Sequence, residues 1–404
     1  MNADLRAQFP ILHQEINGRP LVYLDNAATV QKPQAVLDVS RAYYSELNAN
    51  IHRGVHYLSR KATDAHEKAR TSIAKHLNAP HEHEVIFTSG TTDGINLVAD
   101  TLSLSGKITT GDRILISGLE HHSNIVPWQM LCQRTGATLD VIPVTDSGEC
   151  DLSDIDSLLT EKTKLVAVSQ VSNALGTINP IDILIAKAKK VGAWTLIDGA
   201  QSAPHMAIDV QAIGCDFFVF SGHKTYAPTG IGILWGRTEL LEMLPPWRGG
   251  GEMIKQVTFE KTTYNELPFK YEAGTPNIEG GIALAAALEW MQDIGLDTIT
   301  AHEDKLLMLA TEAISEIDGI KIYGTAPNKA SVLSFGIEGI HHFDLGTLMD
   351  QMGVGVRTGH HCCQPLMQRF GITGTTRASF AIYNTEQEVE TLINAVRKAA
   401  TMLR

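Results

Sequence analysis

The sequence is poor in cysteine, in aromatic side chains and in positive charge, and it has no long apolar run. Five of its 404 residues are cysteines: Cys132, Cys150, Cys215, Cys362 and Cys363. An odd number, mostly scattered singly, argues against a disulfide framework and suits a reducing compartment, so a cytoplasmic location is expected. Lys and Arg total 33 against 45 Asp and Glu, a formal net charge of -12. That deficit argues against a general binder of nucleic acid or anionic membrane, since each needs a positive surface. No window approaches the roughly eighteen uninterrupted apolar residues of a membrane span. The opening MNADLRAQFP carries an acid early and has no apolar h-region, so no signal peptide is expected. What is present, 44% hydrophobic and 19% charged residues, is ordinary globular composition.

From about residue 60 to 240, short apolar runs alternate with helix-length segments. The runs are HEVIFTSG, DRILISGLEHH, TKLVAVSQVSN, AWTLIDGAQ, CDFFVFSGHK and GIGILWG. Runs apolar on both faces and separated by helices predict a mostly parallel sheet sandwiched between helices. In such sheets ligands bind at the carboxyl ends of the strands. Thr91, His121, Asn173, Asp198 and Lys224 fall at those ends. The Pro/Gly-rich LPPWRGGGEM breaks the pattern, and the C-terminal part mixes strand and helix, closing on a helix opened by Thr385 and Glu388 in capping-box spacing. The expected class is α/β: a large domain at 20–285, and a smaller α+β domain from 1–19 and 286–404.

CDFFVFSGHK runs a buried strand straight into Lys224, and Asp198 ends the strand WTLID one strand-helix step earlier. A strand-end lysine is often only a loop residue, and a strand-end aspartate only a cap. Together they are also the two groups that pyridoxal phosphate requires: a lysine for the Schiff base and an acid facing the ring nitrogen. FTSGTTDGINLVAD reads as strand, turn and helix, so Gly90, Thr91 and Thr92 would place N–H groups and hydroxyls at a helix N-terminus, an anion site, or would serve merely as a cap. Ser221 and His223 could close the same site. His121 could stack on a flat ring or be a core histidine. Asn173 and Gln201 could reach cofactor or substrate, and Arg377 could clamp a carboxylate or form a surface ion pair.

YLDNAAT, HRGVHYLS, SGTTDGIN, EHHSNIVPWQ, VSNALGT, DGAQ, FSGHK, APTGIG, GTPN and RTGHHC occur in that order along nearly the whole chain. This series resembles the fold-type I, class V pyridoxal phosphate enzymes, and specifically the SufS/CsdA-type (group II) cysteine desulfurases. The resemblance implies a seven-stranded, mostly parallel sheet. It implies that Lys224 bears pyridoxal phosphate, that Asp198 meets the ring nitrogen, that His121 stacks on the ring and is catalytic, and that Asn173 and Gln201 contact cofactor or substrate. Thr91, Thr92, Ser221 and His223 would hold the phosphate, with Thr275 reaching it from a second copy in a homodimer. Arg377 would bind the carboxylate of L-cysteine, Cys362 would take its sulfur as a persulfide, and an acceptor protein of the SufE/CsdE or SufU type would clear it. A selenocysteine lyase or another class V enzyme is the alternative. Ala227 stands where the family usually has glycine, and Cys363 where it usually has alanine.

RTGHHCCQP, residues 357–365, raises two further readings, a metal site and a disulfide. In an extended segment alternate side chains diverge, so four contiguous ligands do not converge and no metal is expected. Adjacent Cα atoms lie about 3.8 Å apart, below the roughly 4.4 Å minimum of a relaxed disulfide. A nucleophile remains, its thiolate favoured by flanking imidazoles if these are partly protonated.

Overall fold

The computed structural model describes residues 5–404; residues 1–4, with the start of the N-terminal segment discussed above, lie outside it. A seven-stranded sheet forms the centre. Its strands run in the order Val85–Thr88, Gly232–Gly236, Phe217–Ser221, Trp194–Asp198, Thr163–Ser169, Arg113–Ser117 and Thr138–Ile142. Neighbours are parallel except around Gly232–Gly236, which is antiparallel to both of its partners. The apolar runs explain the architecture. Leu165, Ala167, Leu196, Phe217 and Val219 enter one core, while Val166, Val168, Ile197, Phe218 and Phe220 enter the other. Successive residues of a strand point to opposite faces, so a strand buried on both faces is apolar throughout. Each such side chain withdrawn from water contributes roughly 1.5–3 kcal/mol before the entropy of ordering is subtracted.

Helices Thr91–Leu104 and Val126–Thr135 cover one face through Leu97, Val98, Trp128 and Leu131. Helices Tyr57–His76, Ile181–Lys190 and Ile278–Ile294 cover the other through Ile73, Leu184 and Leu288. The strand Thr138–Ile142 was not among the runs picked out in the sequence. It is a sheet edge with only Ile142 buried, so nothing selects for a continuous apolar run there.

The second core lies under a four-stranded antiparallel sheet, ordered Ile320–Tyr323, Val332–Ile337, Thr375–Ser379 and Arg357–Gly359. Helices Leu296–Ser315, His342–Gln351 and Glu386–Leu403 pack on it. The last helix carries the expected capping box, Thr385 with Glu388. The division at residue 19/20 differs from expectation. Leu5, Phe9 and Leu12 pack into the larger core, whereas Val22 and Leu24 pack into the smaller one, because Val22–Tyr23 pairs with Val354–Gly355. No helix among the described residues is long and apolar enough to cross a membrane.

Candidate active site

One pocket opens at the carboxyl ends of the parallel strands, where both cores meet. Thr91, Thr92, His121, Asn173, Asp198, Gln201, Ser221, His223, Lys224, Cys362 and Arg377 all line it. Of the expected site residues only Thr275 is elsewhere: it is exposed and lies in a separate groove with Asp93 and Arg248.

The lysine is placed by the strand Phe217–Ser221, buried at every position, and by the single turn Gly222–Lys224 that follows. A Cβ on Gly222 would lie 2.8 Å from the Ile231 side chain, so only glycine lets this turn close. Burial pushes the Lys224 amine down to about 8, although Asp198 opposes the shift. Asp198 ends its strand, is 4% exposed and accepts a hydrogen bond from the Ala200 N–H at 2.9 Å. Burial raises its carboxyl above the ordinary range. A buried acid that gains from sharing its charge with a protonated partner suits a pyridinium N–H.

The anion cradle forms at the start of helix Thr91–Leu104. Gly90 caps it with φ 148°, and the Ser221 hydroxyl accepts from Thr91 N–H at 2.8 Å and shares a second hydrogen bond with the Thr91 hydroxyl. His121 is fixed from below: its Nδ1 accepts from Ser123 N–H at 3.0 Å, which leaves the ring proton on Nε2. Burial, reinforced by the Lys224 charge, holds this ring neutral, at about 3. Gln201 donates to the Ala27 carbonyl at 2.6 Å.

Arg377 is 2% exposed. It donates from Nη1 to the Asn173 carbonyl at 2.8 Å and from Nη2 to Asp25 at 3.2 Å, while its buried Nε has no partner. An orphaned guanidinium N–H in a pocket wall fits a carboxylate. Arg357, opposite Arg377 on the neighbouring strand, shares Asp25 and also lines the pocket.

The cysteine segment differs from the extended strand expected of it. His361 and Cys362 have φ of 51° and 56°, so the chain turns through the left-handed region. Alternation therefore does not separate the two thiols; burial does. Cys362 is part-exposed at the pocket, whereas Cys363 is fully buried and pushed up to about 12. The expected help from flanking imidazoles is corrected at His361: burial lowers it below the ordinary imidazole range, so it supplies no positive charge, and its Nε2 is paired with the Thr375 hydroxyl at 2.8 Å. Burial also lowers His122, whose N–H bonds the Cys362 carbonyl. Asn173 does not point freely at a ligand. Its side-chain N–H donates to the His361 carbonyl at 2.7 Å, and its side-chain oxygen accepts from the Cys363 thiol at 3.1 Å.

Sequence reasoning missed Glu120. It is 1% exposed, accepts from Asn124 at 2.7 Å and from Ser169 N–H at 3.0 Å, and bonds the Ser117 hydroxyl. Burial pushes its carboxyl up to about 7. The signal was an acid directly before His121 in an otherwise apolar strand end.

The donor set fits pyridoxal phosphate: a depressed lysine for the Schiff base, a buried acid for the ring nitrogen, and a cradle of N–H and hydroxyl groups for the phosphate. The family description "Aminotransferase class-V" matches residues 22–392. The chain is 50% identical over its full length, and over all of the relative, to a protein of Vibrio cholerae named "Probable cysteine desulfurase". It is 51% identical over 98% of its length to the cysteine desulfurase of Synechococcus elongatus, of which it spans 63%. The crystal structure of the cysteine desulfurase CsdA from Escherichia coli superposes with a TM-score of 0.92 at 40% identity, covering 100% of this chain and 99% of that one.

Proposed function

The chain belongs to the class-V aminotransferase family, and from that premise we propose that it is a pyridoxal phosphate-dependent cysteine desulfurase, converting L-cysteine to L-alanine and passing the sulfur to Cys362. The observation that carries the proposal is the convergence of Lys224, Asp198, Arg377 and a part-exposed Cys362 in one pocket. Identity of about one half with desulfurases along the whole chain supports it.

Lys224 would carry the cofactor, with Asp198 at the ring nitrogen, His121 on the ring face, Gln201 beside it, and Thr91, Thr92, Ser221 and His223 around the phosphate. When bound, the cofactor supplies an electron sink for negative charge at the substrate α-carbon. Arg377 binds and orients the substrate carboxylate through its free N–H. Lys224, released once the substrate amine takes its place, would present an amine near 8, suited to take the α-proton at neutral pH. The Cys362 thiolate attacks the substrate sulfur. A new S–S bond forms as the substrate C–S bond breaks, and that bond's electron pair stays with carbon, which is then protonated and leaves as L-alanine. His121, neutral with its proton on Nε2, is a hydrogen-bond donor here rather than an imidazolium acid.

Thr275 faces solvent outside this pocket. That suits a homodimer in which a second copy brings Thr275 to the phosphate. The cysteine segment is short, running from strand Arg357–Gly359 directly into helix Gln364–Arg369. Little slack is left to swing a persulfide outward, so an acceptor of the SufE/CsdE or SufU type would come to Cys362. Five free thiols suit the cytoplasm. Alanine release from L-cysteine should rise severalfold when such an acceptor is added. An unchanged rate would remove the acceptor from the account.

A further inference from the structure

Cys363 follows the sulfur-accepting residue, yet it does not line the pocket. It is 0% exposed and belongs to the larger core with Leu366 and Met367 of the next helix. The segment that carries Cys362 is thus strung from the smaller sheet at Gly359 and plugged into the larger core at Cys363. Between these anchors, His361 and Cys362 adopt left-handed backbone conformations. For residues with a Cβ that conformation costs energy and persists only where neighbours fix it.

The fixing groups are visible. The Asn173 carboxamide brackets the turn: its oxygen accepts from the Cys363 thiol at 3.1 Å and its N–H donates to the His361 carbonyl at 2.7 Å. The Cys362 carbonyl accepts from His122 N–H at 2.8 Å, and Cys362 N–H donates to His360 Nδ1 at 3.0 Å. The His361 carbonyl, which can only accept, sets which way the amide faces, and the Cys363 thiol pairs the carboxamide oxygen this leaves on the other side. Without that donor, the carboxamide oxygen is left buried and unpaired, and the amide is held on the turn by the His361 carbonyl alone.

We propose that Cys363 is a positioning residue: its thiol, as a hydrogen-bond donor to Asn173, locks the turn that aims Cys362 into the pocket, and it carries no sulfur itself. The inference rests on the reading of Cys362 as the sulfur acceptor. A thiol held protonated by burial, near 12, suits a donor and not a nucleophile.

The test compares wild type, Cys363→Ala and Cys363→Ser as holoenzymes. Three readouts are taken: the kcat and KM for alanine release, the position of sulfane sulfur by peptide mass spectrometry, and the rate at which iodoacetamide alkylates Cys362. Losing one neutral hydrogen bond corresponds to roughly a 2- to 10-fold effect. In Cys363→Ala, kcat should fall by about that factor with KM for L-cysteine unchanged, because Arg377 is held by the Asn173 backbone carbonyl and not by its side chain. Alkylation of Cys362 should move the opposite way and speed up severalfold as the turn loosens. Cys363→Ser, which keeps a donor, should restore both. Wild-type values in Cys363→Ala, or a serine variant as impaired as alanine, would overturn the proposal, as would sulfane sulfur on Cys363. If wild type carried no sulfane sulfur on Cys362, the reading beneath the proposal would fail, and the alkylation rates would still decide the positioning claim by themselves.

Discussion

Replacing Arg377 by alanine is the sharpest perturbation of substrate binding. The guanidinium is 2% exposed and makes two hydrogen bonds, leaving Nε for a ligand. A hydrogen bond to a charged group is worth about 1.5–3 kcal/mol. If the substrate carboxylate takes Nε and draws on one further N–H, its loss removes about 3–6 kcal/mol. At about 1.4 kcal/mol per factor of ten, kcat/KM should fall roughly 10²- to 10⁴-fold, most of it in KM. Arg377→Lys keeps the charge but loses the planar fork, so its loss should be smaller. The change also leaves the Asn173 carbonyl without its Arg377 donor, which costs about 1–3 kcal/mol of stability. A thermal melt alongside the kinetics separates the two effects. Steady-state alanine release across L-cysteine concentrations is the assay. An unchanged KM in a folded Arg377→Ala protein would refute the assignment of the carboxylate site.

Lys224→Ala should abolish turnover almost completely, and borohydride reduction of wild type followed by peptide mapping should label Lys224; a label on any other lysine overturns the cofactor assignment. Asp198→Ala should retain bound cofactor through the phosphate cradle yet lose α-proton exchange, because an unprotonated ring nitrogen accepts negative charge poorly; wild-type exchange would contradict its role. His66 is fully buried with both ring nitrogens unpartnered, and burial pushes it down from 6.5 to about 4. Between those values the unfolded chain binds the proton and the folded one does not, so stability falls as pH drops through that window, by at most about 3 kcal/mol for this group. His66→Leu should flatten the fall in melting temperature between pH 6.5 and 4, and an equally steep fall would show that the ring is protonated in place.

The central sheet was legible because six of its strands are buried on both faces, which leaves an unbroken apolar run as their signature. The edge strand Thr138–Ile142 is buried only at Ile142 and left none. The strand-end rule brought Asp198, Lys224, His121 and Asn173 to one pocket. It could not show that the Asn173 carboxamide is already engaged with the cysteine turn, since that bond joins residues 188 apart in sequence. The shape of RTGHHCCQP was misread for a related reason. Alternation assumes an extended backbone, and the left-handed turn at His361 and Cys362 is imposed by partners from distant segments, His122 and Asn173. A neutral His361 follows from burial, which a hydrophilic-looking HHCC does not reveal. Glu120 escaped notice, although it opens EHHSNIVPWQ, because its burial depends on donors from three separate places, Ser117, Asn124 and Ser169, that no local pattern brings together.

The account stands most directly on where the sulfur goes. Purified holoenzyme incubated with L-cysteine, without acceptor or added thiol, should yield L-alanine and protein-bound sulfane sulfur in equal first-turnover amounts. Peptide mass spectrometry should place that sulfur on Cys362, and Cys362→Ser should give neither the persulfide nor turnover beyond background. Alanine formed without sulfane sulfur on the protein, or sulfur mapped to a residue other than Cys362, would contradict it.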